Sequence, residues 1–139
     1  MISKRRCFIT GIKSTELSKR EIIFLKKYKP WGVILFSRNI KTILQTQKLT
    51  SNIKKIFNDK KYPILIDEEG GKVSRLNKFI DNSIFSSESF GNLFIKDKKK
   101  FLIYYRIYIK QISYLLNLLG VNINTMPVLD VRRNITNKV

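Results

Sequence analysis

The chain has 139 residues, 43% of them hydrophobic, the length and apolar content of one folded domain rather than a disordered tail. Lys and Arg number 28 against 10 Asp and Glu, a formal charge of +18, and such a field attracts nucleic acid or anionic membranes. With no histidine and one cysteine, Cys7, the sequence excludes an intrachain disulfide, a Cys/His zinc site and any histidine-based acid/base pair within the chain.

The basic residues are spread out, with short clusters only at Lys4-Arg5-Arg6, Lys60-Lys61 and Lys98-Lys99-Lys100. Many fall where a helix shows water its polar face, so a solvated surface stands beside the nucleic-acid reading. Near the N-terminus the apolar run 7–12 contains Thr10 and Gly11, too short and polar for a secretory core. Residues 101–119 are interrupted by Arg106, Lys110 and Gln111, short of the ~20 apolar residues of a membrane span. These features predict a soluble cytoplasmic protein with no membrane partner.

In chain order, residues 7–12 predict a first strand. Ser18 with Glu21 three residues later forms a capping box, in which each satisfies an orphan amide of the other, and predicts a short helix over 18–27 that ends before Pro30. The run GVILF, 32–36, has no alternation and predicts a parallel strand covered on both faces, with polar Ser37-Arg38-Asn39 at its end and Trp31 packing at its entry. Thr42 and Gln45 offer a second capping box, and Leu49, Ile53 and Ile56 or Phe57 carry the helical spacing of a helix over 43–57. A further buried strand, 63–66, ends at Asp67.

Residues 75–97 hold Ser, Asn and Gly with scattered Phe85, Phe90 and Phe94 and read as a long loop, of the kind that carries function or covers a site. Phe101, Tyr105, Tyr108, Ile112, Leu115 and Leu119 step by four and three, predicting a helix closed by a left-handed cap at Gly120. Tyr105 and Tyr108 on that apolar face read as core rather than as stacking platforms for bases. Residues 121–131 read as a last strand closing on Asp130, with Pro127 at an interrupted, edge-like end.

The order βαβαβ, loop, αβ predicts an α/β fold with right-handed crossovers. Open α/β sheets and (β/α)8 barrels both place their ligand site at the C-terminal ends of the strands, where Ser37, Arg38, Asp67 and Asp130 would converge.

The stretch PILIDEEGGKVSRL, 63–76, is the densest candidate. Successive side chains of an extended segment point to opposite sides, so Asp67, Glu68 and Glu69 cannot all face one reacting atom. Adjacent acids also cannot straddle a glycosidic bond as a hydrolytic pair must. The cluster offers oxygen ligands for Mg2+ or Ca2+ but matches no EF-hand loop, and Gly70-Gly71 is no phosphate fingerprint. The glycines suit a sharp turn or close backbone approach, and a plain charged turn remains an alternative. Arg75 suits anchoring a hydroxyl or carboxylate through its planar fork, or pairing with an acid such as Glu69.

Together GVILFSRN, LIDEEGGKVSRL and PVLDV resemble the N-terminal part of a family 3 glycoside hydrolase of the bacterial cytoplasmic β-N-acetylhexosaminidase (β-N-acetylglucosaminidase) type, in matching order across most of the chain. The resemblance implies the N-terminal half of a (β/α)8 TIM-type barrel over 1–139, with the C-terminal half missing. It implies removal of terminal β-linked N-acetylglucosamine from peptidoglycan fragments, as in peptidoglycan recycling, with retention through a covalent glycosyl-enzyme intermediate and no metal or organic cofactor. Asp67 and Arg75 match residues that bind sugar, and no catalytic residue is assigned. The family's nucleophilic aspartate and its acid/base histidine, in a Lys-His-Phe-Pro-Gly-His-Gly type loop, match nothing in this chain. Arg132 and Arg133 come too early for its next sugar-binding arginine.

A half-barrel leaves strand edges and one core face open. The expectation is therefore an inactive chain that aggregates or takes a complementing C-terminal fragment as partner, with muropeptide carbohydrate as the family's substrate and no nucleic acid. The alternatives are a β-glucosidase of the same family, disfavoured by DEEGGKVSR, a non-catalytic sugar-binding remnant and a basic nucleic-acid-binding protein.

Overall fold

The computed structural model describes residues 5–128. Asp130, Arg132 and Arg133 lie outside the described residues. Within them, four strands, β1 (Arg6–Gly11), β2 (Pro30–Leu35), β3 (Ile64–Ile66) and β4 (Ile123–Asn124), form one parallel sheet in the order β1-β2-β3-β4. Helix α1 (Lys19–Tyr28) joins β1 to β2, α2 (Ile43–Ile56) joins β2 to β3, and α3 (Ser87–Lys96) with α4 (Lys98–Leu118) joins β3 to β4. Each strand is laid beside its predecessor without reversal, as in the wall of a (β/α)8 barrel and unlike a doubly wound sheet, whose order turns back at a switch point.

Local chemistry accounts for these elements. Ser18 Oγ accepts from Glu21 N at 3.2 Å, while Ser18 N donates to the Glu21 carboxylate at 2.8 Å, so the predicted capping box is complete. The second box is only half formed. Thr42 Oγ1 accepts from Gln45 N, but Gln45 Oε1 receives the amide of Lys41 instead of that of Thr42. β2 and β3 are almost wholly buried, as their unalternating apolar runs predict, and Val33, Leu35, Ile64 and Ile66 share one buried apolar cluster with Leu49 and Ile53 of α2.

Three sequence expectations need correction. Residues 75–97 are not a structureless loop, because α3 occupies Ser87–Lys96, with Ser86 Oγ accepting from Ser89 N at 3.1 Å. Phe90, Leu93 and Phe94 carry helical spacing there, masked by the polar run before them and by Gly91. Within 121–128, the described part of the expected last strand 121–131, only Ile123–Asn124 pair as a strand. Trp31 is 42% exposed, so it covers the strand entry only in part.

Helix α4 begins at Lys98, capped by Asp97, whose Oδ1 accepts from Lys100 N at 3.0 Å. Tyr108, Ile112 and Leu116 are buried on its inner face, and Tyr105 is partly buried against them, so both tyrosines serve as core. Its outer face shows Ile103, Ile107 and Tyr114 to solvent. No helix among the described residues is long and apolar enough to cross a membrane.

Gly120 ends α4 at φ +78°, and Thr50 Oγ1, which donates to Leu119 O at 2.8 Å, would lie 2.5 Å from any Cβ placed there. Gly91 sits in α3 with nothing within 4 Å of its Cβ position. Thermal denaturation should therefore separate two identical substitutions. Gly120→Ala is expected to destabilise by at least about 1 kcal/mol, and Gly91→Ala to stabilise by about 0.5–1 kcal/mol. Equal effects at the two sites would contradict this assignment.

Candidate functional site

Parallel pairing brings the C-terminal ends of β2, β3 and β4 to one edge, where Phe36, Asp67 and Thr125 follow their strands directly or at the next residue. Asp67 is half-buried, and Thr125 Oγ1 donates to its Oδ1. Arg75 Nη2 lies 3.7 Å from Asp67 Oδ2, close enough for Coulombic attraction but too far for a hydrogen bond. The side chains keep 25% and 30% of their exposure, so each retains hydrogen-bonding capacity toward a ligand.

Phe36 forms the floor beside this pair. The Arg75 guanidinium carbon is 5.7 Å from its ring centroid and that of Arg38 is 4.5 Å away, both within cation–π range. Arg38 is held by Nε donating to Ile12 O at 3.0 Å, at the exit of β1. Buried Asn39 ties the same two exits together, donating to Ile12 O and Ser14 O while accepting from Phe36 N at 2.9 Å. Ser37 opens the 3-10 turn that carries these residues.

The strand stops at Ile66, before the acids, so it is the loop that sets Asp67 and Glu68 apart. Asp67 faces the edge, whereas Glu68 is buried, 1% exposed, and turned beneath the following loop. There its Oε2 accepts from Arg75 N at 2.6 Å and Leu76 N at 2.9 Å, and its Oε1 accepts from Asn82 Nδ2 at 3.0 Å. Arg75 stands within ion-pair distance of Asp67. Gly70 takes φ +75°, and a Cβ there would sit 2.2 Å from Phe85 O and 2.7 Å from the Tyr108 hydroxyl, so both conformation and space demand glycine.

Of the residues named from sequence, the structure thus gathers Arg38, Asp67 and Arg75, and Ser37 enters only through its turn. Sequence reasoning missed Phe36, Thr125 and Asn39 as members of the site; their signal was position, at strand exits. Chemically the edge offers one carboxylate acceptor, guanidinium donors, a hydroxyl and an aromatic face. Among the described residues the second acid, Glu68, accepts from backbone amides, whereas a retaining glycosidase works with two carboxyl groups about 5–5.5 Å apart. Among the described residues no group of three or more His, Cys, Asp or Glu is placed to hold a metal ion.

No protein-family model matches the chain. It is 32% identical over 119 residues to beta-hexosaminidase A of Pseudoalteromonas piscicida, a match covering 83% of this chain and 19% of that protein. Among solved structures, NagZ of Neisseria gonorrhoeae in complex with N-trifluoroacetyl-D-glucosamine is 26% identical with a TM-score of 0.77, covering 91% of this chain and 36% of that one. A glycoside hydrolase family 3 beta-N-acetylglucosaminidase from Paenibacillus sp. str. FPU-7 is 27% identical with a TM-score of 0.69, covering 89% and 23%. The chain spans less than two fifths of the length of each.

Tyr108, beneath the Gly70 turn, has a buried hydroxyl without a hydrogen-bond partner among the described residues. Burial, with the nearby Glu68 carboxylate and Tyr105, pushes its pKa up to about 12, and burial does the same for Tyr62. Ionisation is thus harder in the folded chain than in the unfolded one. The stabilising contribution is whole below pH ~10, the unfolded value, and is lost as pH rises through about 12. In denaturant titrations Tyr108→Phe should leave stability at pH 7 nearly unchanged and soften the fall between pH ~10 and ~12. A large loss at pH 7 would show that the hydroxyl has a partner.

Proposed function

We propose that this chain, which belongs with the family 3 glycoside hydrolases of β-N-acetylhexosaminidase type, supplies part of the sugar-recognition edge of an enzyme that removes terminal β-linked N-acetylglucosamine from peptidoglycan fragments. The observation that carries this reading is Asp67 and Arg75 held 3.7 Å apart at the strand ends, attracted to one another yet not hydrogen-bonded. A carboxylate accepting two hydroxyl bonds and a fork of donors beside it fix the orientation of a pyranose, and Phe36 offers an apolar face close by. The likeness to a beta-hexosaminidase, to a beta-N-acetylglucosaminidase and to NagZ in complex with N-trifluoroacetyl-D-glucosamine supports the substrate class.

In this reading residues 1–139 are the N-terminal half of the barrel, and the nucleophile and acid/base lie in a complementing C-terminal portion. The exposed apolar residues Ile103, Ile107 and Tyr114 of α4 are in keeping with a surface that such a portion covers. A reducing, cytoplasmic setting with a role in peptidoglycan recycling completes the proposal, consistent with the exposed free thiol of Cys7.

The test is a calorimetric or NMR titration of the chain with N-acetylglucosamine, with glucose and an unrelated oligonucleotide as controls. Binding should favour the N-acetylated sugar, and Asp67→Ala or Arg75→Ala should each weaken it at least about tenfold, or ~1.4 kcal/mol. The chain alone should release no 4-nitrophenol from 4-nitrophenyl N-acetyl-β-glucosaminide. Turnover by the chain, or sugar binding indifferent to both substitutions, would overturn the reading, and oligonucleotide binding without sugar binding would replace it.

A further inference from the structure

We propose that Glu68 is the positioning residue of the site, the group that sets where Arg75 stands opposite Asp67. The inference deepens the sugar-recognition reading and rests on it.

Asp67 and Arg75 are eight positions apart, so their meeting depends on how the chain between them is folded back. That return is short of ordinary ladder hydrogen bonds. Glu69 N donates to Val73 O at 2.9 Å, Gly70 and Val73 form an isolated bridge, and Gly71 N donates to Asn82 O. At Arg75 itself the anchor is a side chain, because Glu68 Oε2 accepts both the Arg75 and Leu76 amides. Two amides converging on one ionised oxygen form charge-assisted bonds, the stronger and more directional kind.

Glu68 is in turn fixed from the neighbouring strand. Asn124 Oδ1 accepts from Glu68 N and Asn124 Nδ2 donates to Glu68 O, both at 3.0 Å. The next residue, Thr125, donates to Asp67. Residues 124 and 125 therefore grip both halves of the site, Asp67 directly and Arg75 through Glu68. A carboxylate held this way is part of the frame that defines a guanidinium position, not a contact for the sugar.

The chemistry distinguishes two substitutions. Glutamine retains one carbonyl oxygen for the two amides and puts an NH2 where Oε1 faced Asn82. Asn82 Oδ1 is buried without a partner among the described residues, so turning that amide over would satisfy the new donor. Alanine leaves both amides and Asn82 without their acceptor.

The experiment follows the Arg75 Nε–Hε signal by NMR in the ligand-free chain and the Kd for N-acetylglucosamine by titration. Glu68→Ala should shift or broaden the Arg75 signal and weaken binding about tenfold, whereas Glu68→Gln should keep the signal and stay within about threefold of the parent. Because Glu68 acts through Arg75, Glu68→Ala combined with Arg75→Ala should bind no more weakly than Arg75→Ala alone. If Glu68→Ala does not fold, Glu68→Asp, too short to reach both amides, carries the same comparison. An unchanged Arg75 signal in the folded variant, equal damage from glutamine and alanine, or additive losses would overturn the proposal. A parent chain that binds no sugar while the Arg75 signal still responds to Glu68 would instead remove the sugar reading and leave the positioning role standing.

Discussion

The site depends on one constraint, that parallel strands wound in sequence deliver all their C-terminal ends to the same edge. β2, β3 and β4 are in register at Leu35, Ile66 and Asn124, so the residues after them become neighbours although the chain separates them by tens of positions. Phe36, Asp67 and Thr125 owe their proximity to this pairing rather than to any local motif. An antiparallel arrangement would send alternate exits to opposite ends and dissolve the cluster.

Backbone pairing alone stops at Ile66, and side chains carry the order further. Glu68 does this for the loop of Arg75, and Asn39 does it for the exits of β1 and β2. Both are buried polar groups that would be costly if unpaired, and each accepts or donates several bonds to backbone atoms. Buried polar side chains here extend the sheet's precision into irregular backbone, where a binding edge needs it.

Much of this was legible in the sequence. The unalternating runs VILF and ILI announced buried parallel strands, Ser18 with Glu21 announced a helix start, and Gly120 announced a helix end. Asp67 was readable as the polar residue after a buried strand, and the pairing of Asp67 with Arg75 as sugar contacts came from the resemblance to the family's sugar-binding residues. Helix α3 was obscured because its apolar face is only Phe90, Leu93 and Phe94, interrupted by Gly91. The arrangement around Glu68 was not legible for a different reason. Its partners are main-chain amides and an asparagine fourteen positions away, and neither leaves a signature in residue type.

The central claim is that this strand-end edge, and no other surface of the chain, receives an N-acetylated sugar. Amide chemical-shift mapping with N-acetylglucosamine tests it most directly. The account predicts perturbations clustered at Phe36, Asp67, Arg75 and Thr125; perturbations confined to the flank between α1 and α2, or none at saturating sugar, would contradict it.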